Sequence, residues 1–554
     1  MKLGHLLFKR SKTIFYGLAF FVLGCLGGGN SGSETTNGLS GNVSDDGGRP
    51  ASGTRILLLP ENYNPAQSDS SALLRTTSDA SGNYHLTDVA PGHYHIYMVD
   101  SSRGLNALIQ AITVNADGGQ IKVNGQLSKP GSVKIHISDY FGSHDFGYIY
   151  LPGSTSLLKI DSLSAQLGTV TISSFPIGNF DQLLLVIGNG VNQKTITLSQ
   201  NFKVVSDSNS TLALYQGWKY SRSLSINTAS VGVTELLLDF PLLVRLDSTN
   251  FDFIQAQANG SDLRFASSNG SVLSYQIENW DSLNKRAAIW VRIDTVQSTS
   301  PTQNLSMYWG QALSVTNQKN AKVFDSTFGF ASVWHLNESA NSDQDGYKDA
   351  TLHSNNLSVK KINADAQITG VAGNAKKFNG NPDATGPLEG PIPQGLGGNA
   401  AFSITYWMKF ETTAMRAIVF DFGTPGILHD FHFIIGADTT AQIGGMDINN
   451  SSGSTPATWQ DSFKLTSYIA TWAYIAITYD PLKGLLTTYV NGIKQDQKTT
   501  PALKIDANGG FRIGKVLSSN PTDAPYYGVI DEFRIYNNPI SLGRIKLDYE
   551  TQRP

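Results

Sequence analysis

The sequence predicts an all-β protein built from several domains. Its 554 residues are too many for one hydrophobic core. The chain has 54 glycines and only 15% charged residues, a composition that favours turn-rich β structure over helices. Strand-like alternation is clear in AFSITYWMKF at 401–410, where apolar and polar side chains alternate with a period of two.

The composition also excludes two broad classes of protein. Hydrophobic residues make up 40% of the chain, which is enough for packed cores and argues against intrinsic disorder. The net charge of −3 and the pI of about 6.4 provide no basic surface of the kind that nucleic-acid-binding proteins carry. We therefore expect no nucleic-acid partner.

The N-terminus has the features of an export signal with a lipid anchor. Basic residues precede a short apolar run at 14–23, which is typical of a signal peptide. The run ends in VLGC, which resembles a bacterial lipobox and implies a signal peptide over 1–24 and lipidation of Cys25. The alternative is an uncleaved anchor with an incidental cysteine. Bacterial lipoproteins that are retained in the inner membrane have Asp directly after the lipidated cysteine. This chain has Leu26 there, so the resemblance implies the outer membrane. Residues 25–37 are predicted to form a flexible tether.

Two small β-sandwiches are predicted after the tether. The stretch RTTSDASGNYHLTDVAPGHYHIYMVD resembles the carboxypeptidase regulatory-like module over 38–127. Within it, 82–94 aligns without a gap with 168–180, so that Gly82 matches Gly168 and Tyr94 matches Phe180. This alignment predicts a degenerate second sandwich over 128–210. The two sandwiches together are expected to form a stalk.

Two further domains are identified by resemblance. The series WKYSRSLSI, FPLLVRLDSTNFDF, AAIWVRID and LSMYWG resembles, over 217–340, a bacterial domain of unknown function that commonly precedes laminin-G-like jelly rolls. The segments NAKKFNG, AFSITYWMKF, TWAYIAITYD and GVIDEFRIYNNPIS resemble a laminin-G-like, concanavalin A-type jelly roll, which is expected over 341–554. The resemblance implies a β-sandwich fold and leaves the ligand open.

The adjacent carboxylates Asp531 and Glu532 are the first candidates for catalysis. Successive side chains of a regular strand point to opposite faces, so Asp531 is predicted to share a face with Phe533, and Glu532 with Arg534. Carboxylates on opposite faces cannot flank one glycosidic bond. The Glu-x-Asp-x-x-Glu spacing of concanavalin-type glucanases is also absent. We therefore expect no catalytic residue here, and an ion pair between Glu532 and Arg534.

Two metal sites can be considered from the sequence. Asp343, Asp345 and Asp349 lie around a Gly turn and offer oxygen ligands suited to Ca²⁺. The loop is not a complete EF-hand, and a polar interdomain loop is the favoured alternative. His93 and His95, with His85 in the preceding strand, could form a zinc face, although ordinary exposed strand positions explain them better. We expect no cofactor apart from this structural calcium.

Trp459 is the candidate for ligand binding, because it lies in the polar segment SSGSTPATWQDSF, where an indole could serve as a sugar platform. The sequence contains no Gly-x-Ser-x-Gly elbow and no phosphate-binding loop. We therefore expect a noncatalytic envelope lipoprotein that displays a glycan- or protein-binding jelly roll, with a polysaccharide or a surface protein as partner. The alternatives are an envelope scaffold and, less favoured, a glycoside hydrolase.

Overall fold

The computed structural model describes a protein that is almost entirely β structure, as predicted. It describes residues 37–137, 140, 146–161, 168–188, 193–311, 320–338, 346–359, 367–380, 387–410, 417–424, 430–435, 443–449, 463–464, 468–515 and 524–554. The predicted site residues Cys25, Asp343, Asp345 and Trp459 lie outside these ranges. Within them, no helix has the length and apolar character needed to span a membrane.

The first unit is a small sandwich of two sheets. One sheet has the order β4-β1-β7, with β8 also paired to β1, and the other has the order β3-β2-β5-β6. Alternating side chains of both sheets, such as Leu39, Ile56, Leu86 and Ile96, form its core. Its strands are β1 Gly38–Ser44, β2 Arg55–Pro60, β3 Arg75–Thr77, β4 Asn83–Leu86, β5 Gly92–Asp100, β6 Leu105–Val114, β7 Gln120–Lys122 and β8 Gly125–Gln126, with a 3₁₀ turn at Ser70–Ala72.

The second unit repeats this topology. Its sheets have the orders β12-β9-β15 and β11-β10-β13-β14, which reproduce the sheet orders of the first unit, except that β8 has no counterpart among the described residues. Gly82 and Gly168, matched in the sequence alignment, both have positive φ, at 80° and 72°. The alignment therefore has a structural counterpart. The strands are β9 Gly131–His136, β10 Gly147–Tyr150, β11 Leu157–Ile160, β12 Thr169–Phe175, β13 Gly178–Ile187, β14 Lys194–Val204 and β15 Asn209–Thr211.

The third unit packs two three-stranded sheets around one core. The sheet orders are β16-β21-β18 and β17-β20-β19. The core includes Phe240, Phe265, Ile289 and Met307. Its elements are β16 Tyr220–Ile226, α1 Thr228–Val231, β17 Leu237–Asp247, β18 Arg264–Ser267, β19 Tyr275–Asp281, β20 Arg286–Val296, β21 Gln303–Trp309 and α2 Asn320–Val323, with 3₁₀ turns at Phe253–Gln255 and Ser326–Phe328.

The C-terminal unit is a jelly roll of two large sheets. Its first sheet has the order β23-β24-β36-β26-β31-β32-β33 with β22 beside β36, and the second has the order β25-β34-β27-β28-β29-β30 with β35 beside β27. The elements are β22 Phe330–Trp334, β23 Gln367–Thr369, β24 Asn374–Asn379, β25 Leu388–Pro391, β26 Phe402–Phe410, β27 Ala417–Gly423, β28 Asp430–Ile435, β29 Ile443–Asn449, β30 Phe463–Lys464, β31 Ala473–Asp480, β32 Leu485–Val490, β33 Ile493–Thr499, β34 Gly510–Ile513, β35 Ala524–Pro525, β36 Tyr527–Tyr536 and α3 Leu542–Gln552.

The first jelly-roll sheet takes one strand from the chain segment before residue 341. Strand β22, at Phe330–Trp334, pairs antiparallel with β36, so that Val333 lies opposite Arg534. The residues of β22 lie within the domain predicted over 217–340. The first jelly-roll sheet therefore starts before residue 341, and β22 connects the third unit directly to the jelly roll.

The outer face of the first jelly-roll sheet is covered by the third unit. Leu243 and Trp290 of the third unit share one buried apolar cluster with Trp407 and Tyr536 of the jelly roll. Helix α3 packs into the same cluster through Ile545. An apolar interface of this kind removes both sheet faces from water, so the charged groups inside it must find partners within the protein.

Candidate functional site

The Asp531–Glu532 pair lies at a β-bulge in β36. Strand β26 pairs Thr405 with Arg534 and Trp407 with Asp531, so one residue of β26 faces two residues of β36. Glu532 has φ of 51°, in the left-handed region that a non-glycine residue rarely occupies. Such backbone strain persists only where the surroundings fix it, and it is concentrated at functional or tightly packed sites.

The bulge overturns the predicted side-chain directions. Phe533 and Ile535 point into the jelly-roll core. Asp531 instead contacts Val371 on the opposite face of the sheet, where Tyr536 joins the interface with the third unit. The prediction that Asp531 shares a face with Phe533 is therefore wrong, because it assumed an unbroken period of two. Asp531 and Glu532 both lie on the outer face of the sheet.

Glu532 lies in a buried cluster with His335 and Glu278, two residues that no sequence motif predicted. His335, just after β22, places its Nδ1 2.6 Å from Glu532 Oε1 and 3.7 Å from Glu278 Oε2. Glu278 belongs to β19 of the third unit, so three elements meet here. Both carboxylate side chains are fully buried. No local motif marks Glu278 or His335, since the three residues come together only in the tertiary structure.

Arg534 completes the interface and confirms the predicted ion pair. Its Nη2 donates to Glu532 Oε2 at 2.7 Å, and its guanidinium lies over the Trp290 ring, 4.3 Å from the centroid. The indole Nε1 of Trp290 donates to Glu278 Oε2 at 2.6 Å. The carboxylate and the aromatic face both stabilise the buried guanidinium, although its Nη1 forms no hydrogen bond among the described residues and lies 3.8 Å from Asp548 Oδ1.

The buried carboxyl groups have opposite pKa shifts. Burial alone would raise the pKa of Glu532, but the charges of His335 and Arg534 outweigh it and lower this pKa to about 2. Burial, together with the neighbouring Glu532 and Asp531, raises the pKa of Glu278 well above its usual range. Burial also raises the pKa of Asp531, although the backbone N–H groups of Ala372 and Val371 favour its charged form. The network therefore contains one firmly ionised carboxylate, Glu532.

A polar cleft opens beside this buried network. It lies between the third unit and the jelly roll and has a volume of ≈ 640 Å³. Arg286 is exposed and lies opposite Asp247 and Asp281 in the sheet. The side-chain amides of Asn279 and Asn374 form no hydrogen bonds with other described residues. The polar side chains that line the cleft are Arg245, Asp247, Asn279, Asp281, Asn284, Arg286, Thr369 and Asn374.

Of the candidate calcium ligands, the structure describes only Asp349. Its carboxylate accepts hydrogen bonds from the backbone N–H groups of Val333, Thr351 and Asn355 at 2.9, 2.9 and 3.0 Å, and from the Thr351 hydroxyl at 2.9 Å. These four bonds organise the loop that follows β22. Calcium binding by Asp343, Asp345 and Asp349 stays a prediction.

The histidines considered for zinc do not come together. His93 Nδ1 lies 3.2 Å from the Thr113 hydroxyl, and the buried His95 Nδ1 lies 3.2 Å from the Gly153 carbonyl oxygen of the second sandwich. His85 belongs to β4, in the other sheet of the first unit. Among the described residues, the group with metal-ligand spacing consists of Glu278, His335 and Glu532.

Comparisons with known families agree with two of the predicted domains. Residues 383–546 match the concanavalin A-like lectin/glucanases superfamily, and residues 259–338 match a domain of unknown function, DUF2341. The chain therefore contains a C-terminal concanavalin A-like domain preceded by a DUF2341 domain, as the sequence motifs predicted. A search of curated proteins gives no significant match.

Solved structures with a similar fold include carbohydrate-binding domains. One is domain 4 of an extracellular GH43 arabinanase from Geobacillus stearothermophilus in complex with arabinotriose, at 21% identity, covering 34% of this chain and 80% of that one, with a TM-score of 0.27. Another is the CBM40 domain of a Ruminococcus gnavus sialidase bound to α2,3-sialyllactose, at 16% identity, covering 27% and 83%, with a TM-score of 0.23.

Proposed function

We propose that this chain is a noncatalytic cell-envelope lipoprotein whose concanavalin A-like domain, with the adjoining interdomain cleft, captures polysaccharide. The observation that carries the proposal is the cleft of ≈ 640 Å³ between the two domains. Ligand sites favour domain interfaces, where two surfaces supply converging polar groups. The lectin/glucanase superfamily of the C-terminal domain makes a sugar the natural ligand class to test.

The chemistry of the cleft suits a hydroxyl-rich, uncharged ligand. The amides of Asn279 and Asn374 offer both donors and acceptors, and Arg286 adds exposed donors. The charged side chains that line the cleft are two arginines, Arg245 and Arg286, and two aspartates, Asp247 and Asp281, so their formal charges sum to zero. A neutral polysaccharide needs many directional hydrogen bonds and no net charge, which this wall supplies.

Burial of the carboxylates supports a binding role over hydrolysis. Glycosidases place two carboxyl groups on either side of an accessible glycosidic bond. The side chains of Glu278 and Glu532 are fully enclosed between the third unit and the jelly roll, and the Asp531 side chain is buried with them. A polymeric substrate cannot reach them in this arrangement.

The remaining parts of the chain are proposed to present this domain away from the membrane. Lipidation at Cys25 would anchor the chain in the outer membrane, with the tether over 25–37 and the two sandwiches as the spacer. In this arrangement the partners are the membrane, through the lipid, and a polysaccharide or surface protein, through the C-terminal half.

The test is a glycan array with the full-length chain in detergent, followed by pull-down on insoluble polysaccharide. We expect retention on neutral glycans that Asn374→Ala and Arg286→Ala each reduce by about tenfold, the loss of one or two hydrogen bonds. Arg75→Ala, an exposed arginine in the first sandwich, is the matched control and should bind as the unmodified chain does.

Three outcomes would contradict the proposal. Retention that is unchanged in both cleft variants would place the ligand elsewhere, and Trp459→Ala would then test the predicted sugar platform. The absence of glycan binding together with a co-purifying envelope protein would favour a scaffold. Release of reducing sugar by the purified chain would identify a glycoside hydrolase.

A further inference from the structure

The interface between the third unit and the jelly roll holds three potential metal ligands in one place. Glu278, His335 and Glu532 each offer one ligand atom, and these atoms lie within 4.8 Å of one another. The Nδ1 atom of His335 is 2.6 Å from Glu532 Oε1 and 3.7 Å from Glu278 Oε2. Tetrahedral ligand atoms that lie about 2.0–2.2 Å from a zinc ion are about 3.3–3.6 Å from one another. The 3.7 Å separation is close to this spacing, whereas the 2.6 Å pair is a hydrogen bond that would have to open when an ion enters.

One carboxylate oxygen in this group has no hydrogen-bond partner. Glu278 Oε1 is buried and unsatisfied among the described residues, although the Glu278 side chain is fully enclosed. A buried acceptor without a partner is costly and uncommon in native proteins. Glu278 Oε1 lies towards Gly373, where an added Cβ would approach it to 2.8 Å. Gly373 also lines the interdomain cleft, so Oε1 is turned towards the cleft, whereas Oε2 is the Glu278 oxygen that lies 3.7 Å from His335 Nδ1.

Each of the three side chains also has a further hydrogen-bond partner. The Trp290 indole N–H donates to Glu278 Oε2, and Arg534 donates to Glu532 Oε2. The Gln276 amide lies 3.1 Å from Nε2 of His335. With its amide turned by half a rotation, Gln276 would accept from Nε2–H and leave Nδ1 free for a metal. Such outer partners orient ligands in metalloproteins.

We propose that Glu278, His335 and Glu532 bind one first-row divalent transition-metal ion that joins the DUF2341 domain to the concanavalin A-like domain. One imidazole and two carboxylates suit Zn²⁺ or Mn²⁺, whereas Ca²⁺ prefers oxygen ligands alone. When the ion binds, the proton on His335 Nδ1 and the proton held by the buried Glu278 carboxyl group both pass to solvent. The ion then neutralises the Glu278 carboxylate, whose Oε1 has no hydrogen-bond partner among the described residues. The site is separate from the predicted calcium loop and is independent of sugar binding.

The experiment uses the full-length chain in detergent after treatment with EDTA. Isothermal titration with ZnCl₂, and with MnCl₂, is expected to show one ion per chain, together with a rise of several degrees in melting temperature, because the ion binds only the folded state. CaCl₂ should produce no such rise through this site. Glu278→Gln keeps the size of the side chain and should melt like the unmodified chain in EDTA, yet weaken Zn²⁺ binding by at least about 100-fold.

Two matched variants separate this site from adventitious binding. Glu389→Gln changes a partly exposed glutamate of the jelly roll, and His93→Gln removes an exposed histidine of the first sandwich. Both should retain the full Zn²⁺ affinity. If Glu278→Gln binds Zn²⁺ as tightly as the unmodified chain, or if the unmodified chain binds no ion, the proposal is overturned.

A spectroscopic measurement keeps the test independent of variant folding. Zinc K-edge X-ray absorption of the unmodified chain should show one imidazole ligand among oxygen ligands. A spectrum without histidine, or with two or more histidines, would overturn the assignment even if Glu278→Gln failed to fold.

Discussion

The guanidinium carbon of Arg534 lies 4.3 Å from the centroid of the Trp290 ring, and the two residues belong to different domains. Arg534 comes from the last strand of the jelly roll and Trp290 from the central strand of the third unit. The same guanidinium holds Glu532 and lies 3.8 Å from Asp548 of helix α3. Three elements of the interface therefore depend on one buried cation.

Arg534→Met should strongly destabilise the interface. The change keeps most of the side-chain volume but leaves Glu532 ionised and buried without its cation, which typically costs about 3–5 kcal/mol. Chemical denaturation followed by tryptophan fluorescence would measure the loss. Arg553→Met, which removes an exposed ion pair with Glu550, is the matched control and should leave the unfolding free energy nearly unchanged. A loss no larger than in this control would show that the buried pair is dispensable.

Lys376→Met should stabilise the protein at neutral pH. Lys376 points into the jelly roll beside Tyr347 and Phe378, and its Nζ has no hydrogen-bond partner among the described residues. Burial lowers the pKa of Lys376 from 10.5 to about 8, so at pH 7 the folded state carries a poorly solvated charge. Removing this charge should raise the unfolding free energy by on the order of 2–3 kcal/mol.

The pH dependence of stability provides a second readout for Lys376. Between about pH 8 and 10.5 the unfolded chain keeps a proton that the folded chain has released, so stability should rise with pH in this window. Lys376→Met should lack this rise in urea denaturation series. Lys377→Met, at the neighbouring and less buried position, should keep it. The same slope in both variants would show that Lys376 is not the titrating group.

Asp349→Ala should loosen the loop after β22. It removes a carboxylate that accepts from Val333, Thr351 and Asn355, leaving buried donors unsatisfied at a cost of about 1–3 kcal/mol. Thermal melting would measure this loss of stability, with the exposed Asp117→Ala as control.

Titration with CaCl₂ tests the prediction that this loop binds calcium. The absence of heat on titration would contradict the predicted calcium site. If Asp349→Ala melted at the same temperature as Asp117→Ala, the Asp349 carboxylate would have no structural role in the loop.

Much of the architecture could be predicted from local sequence. The alignment of 82–94 with 168–180 predicts two sandwiches because turn glycines and alternating apolar residues repeat with the topology. The jelly-roll strands are long and regularly patterned, so their motifs identify the fold. The pairing of Glu532 with Arg534 was also predictable, since a two-residue spacing keeps their side chains close in the strand.

The sequence by itself determined the all-β class and the concanavalin A-like domain that follows the domain of unknown function. Only the tertiary structure decided which way the carboxylates of Asp531 and Glu532 point. Pairing with β26 forces a bulge at Glu532, and this turns Asp531 out of the jelly-roll core. It also brings Glu532 to His335, 197 residues earlier in the chain, and to Glu278. Local patterns record the period of a strand, whereas a bulge and an interdomain contact arise from packing between distant segments.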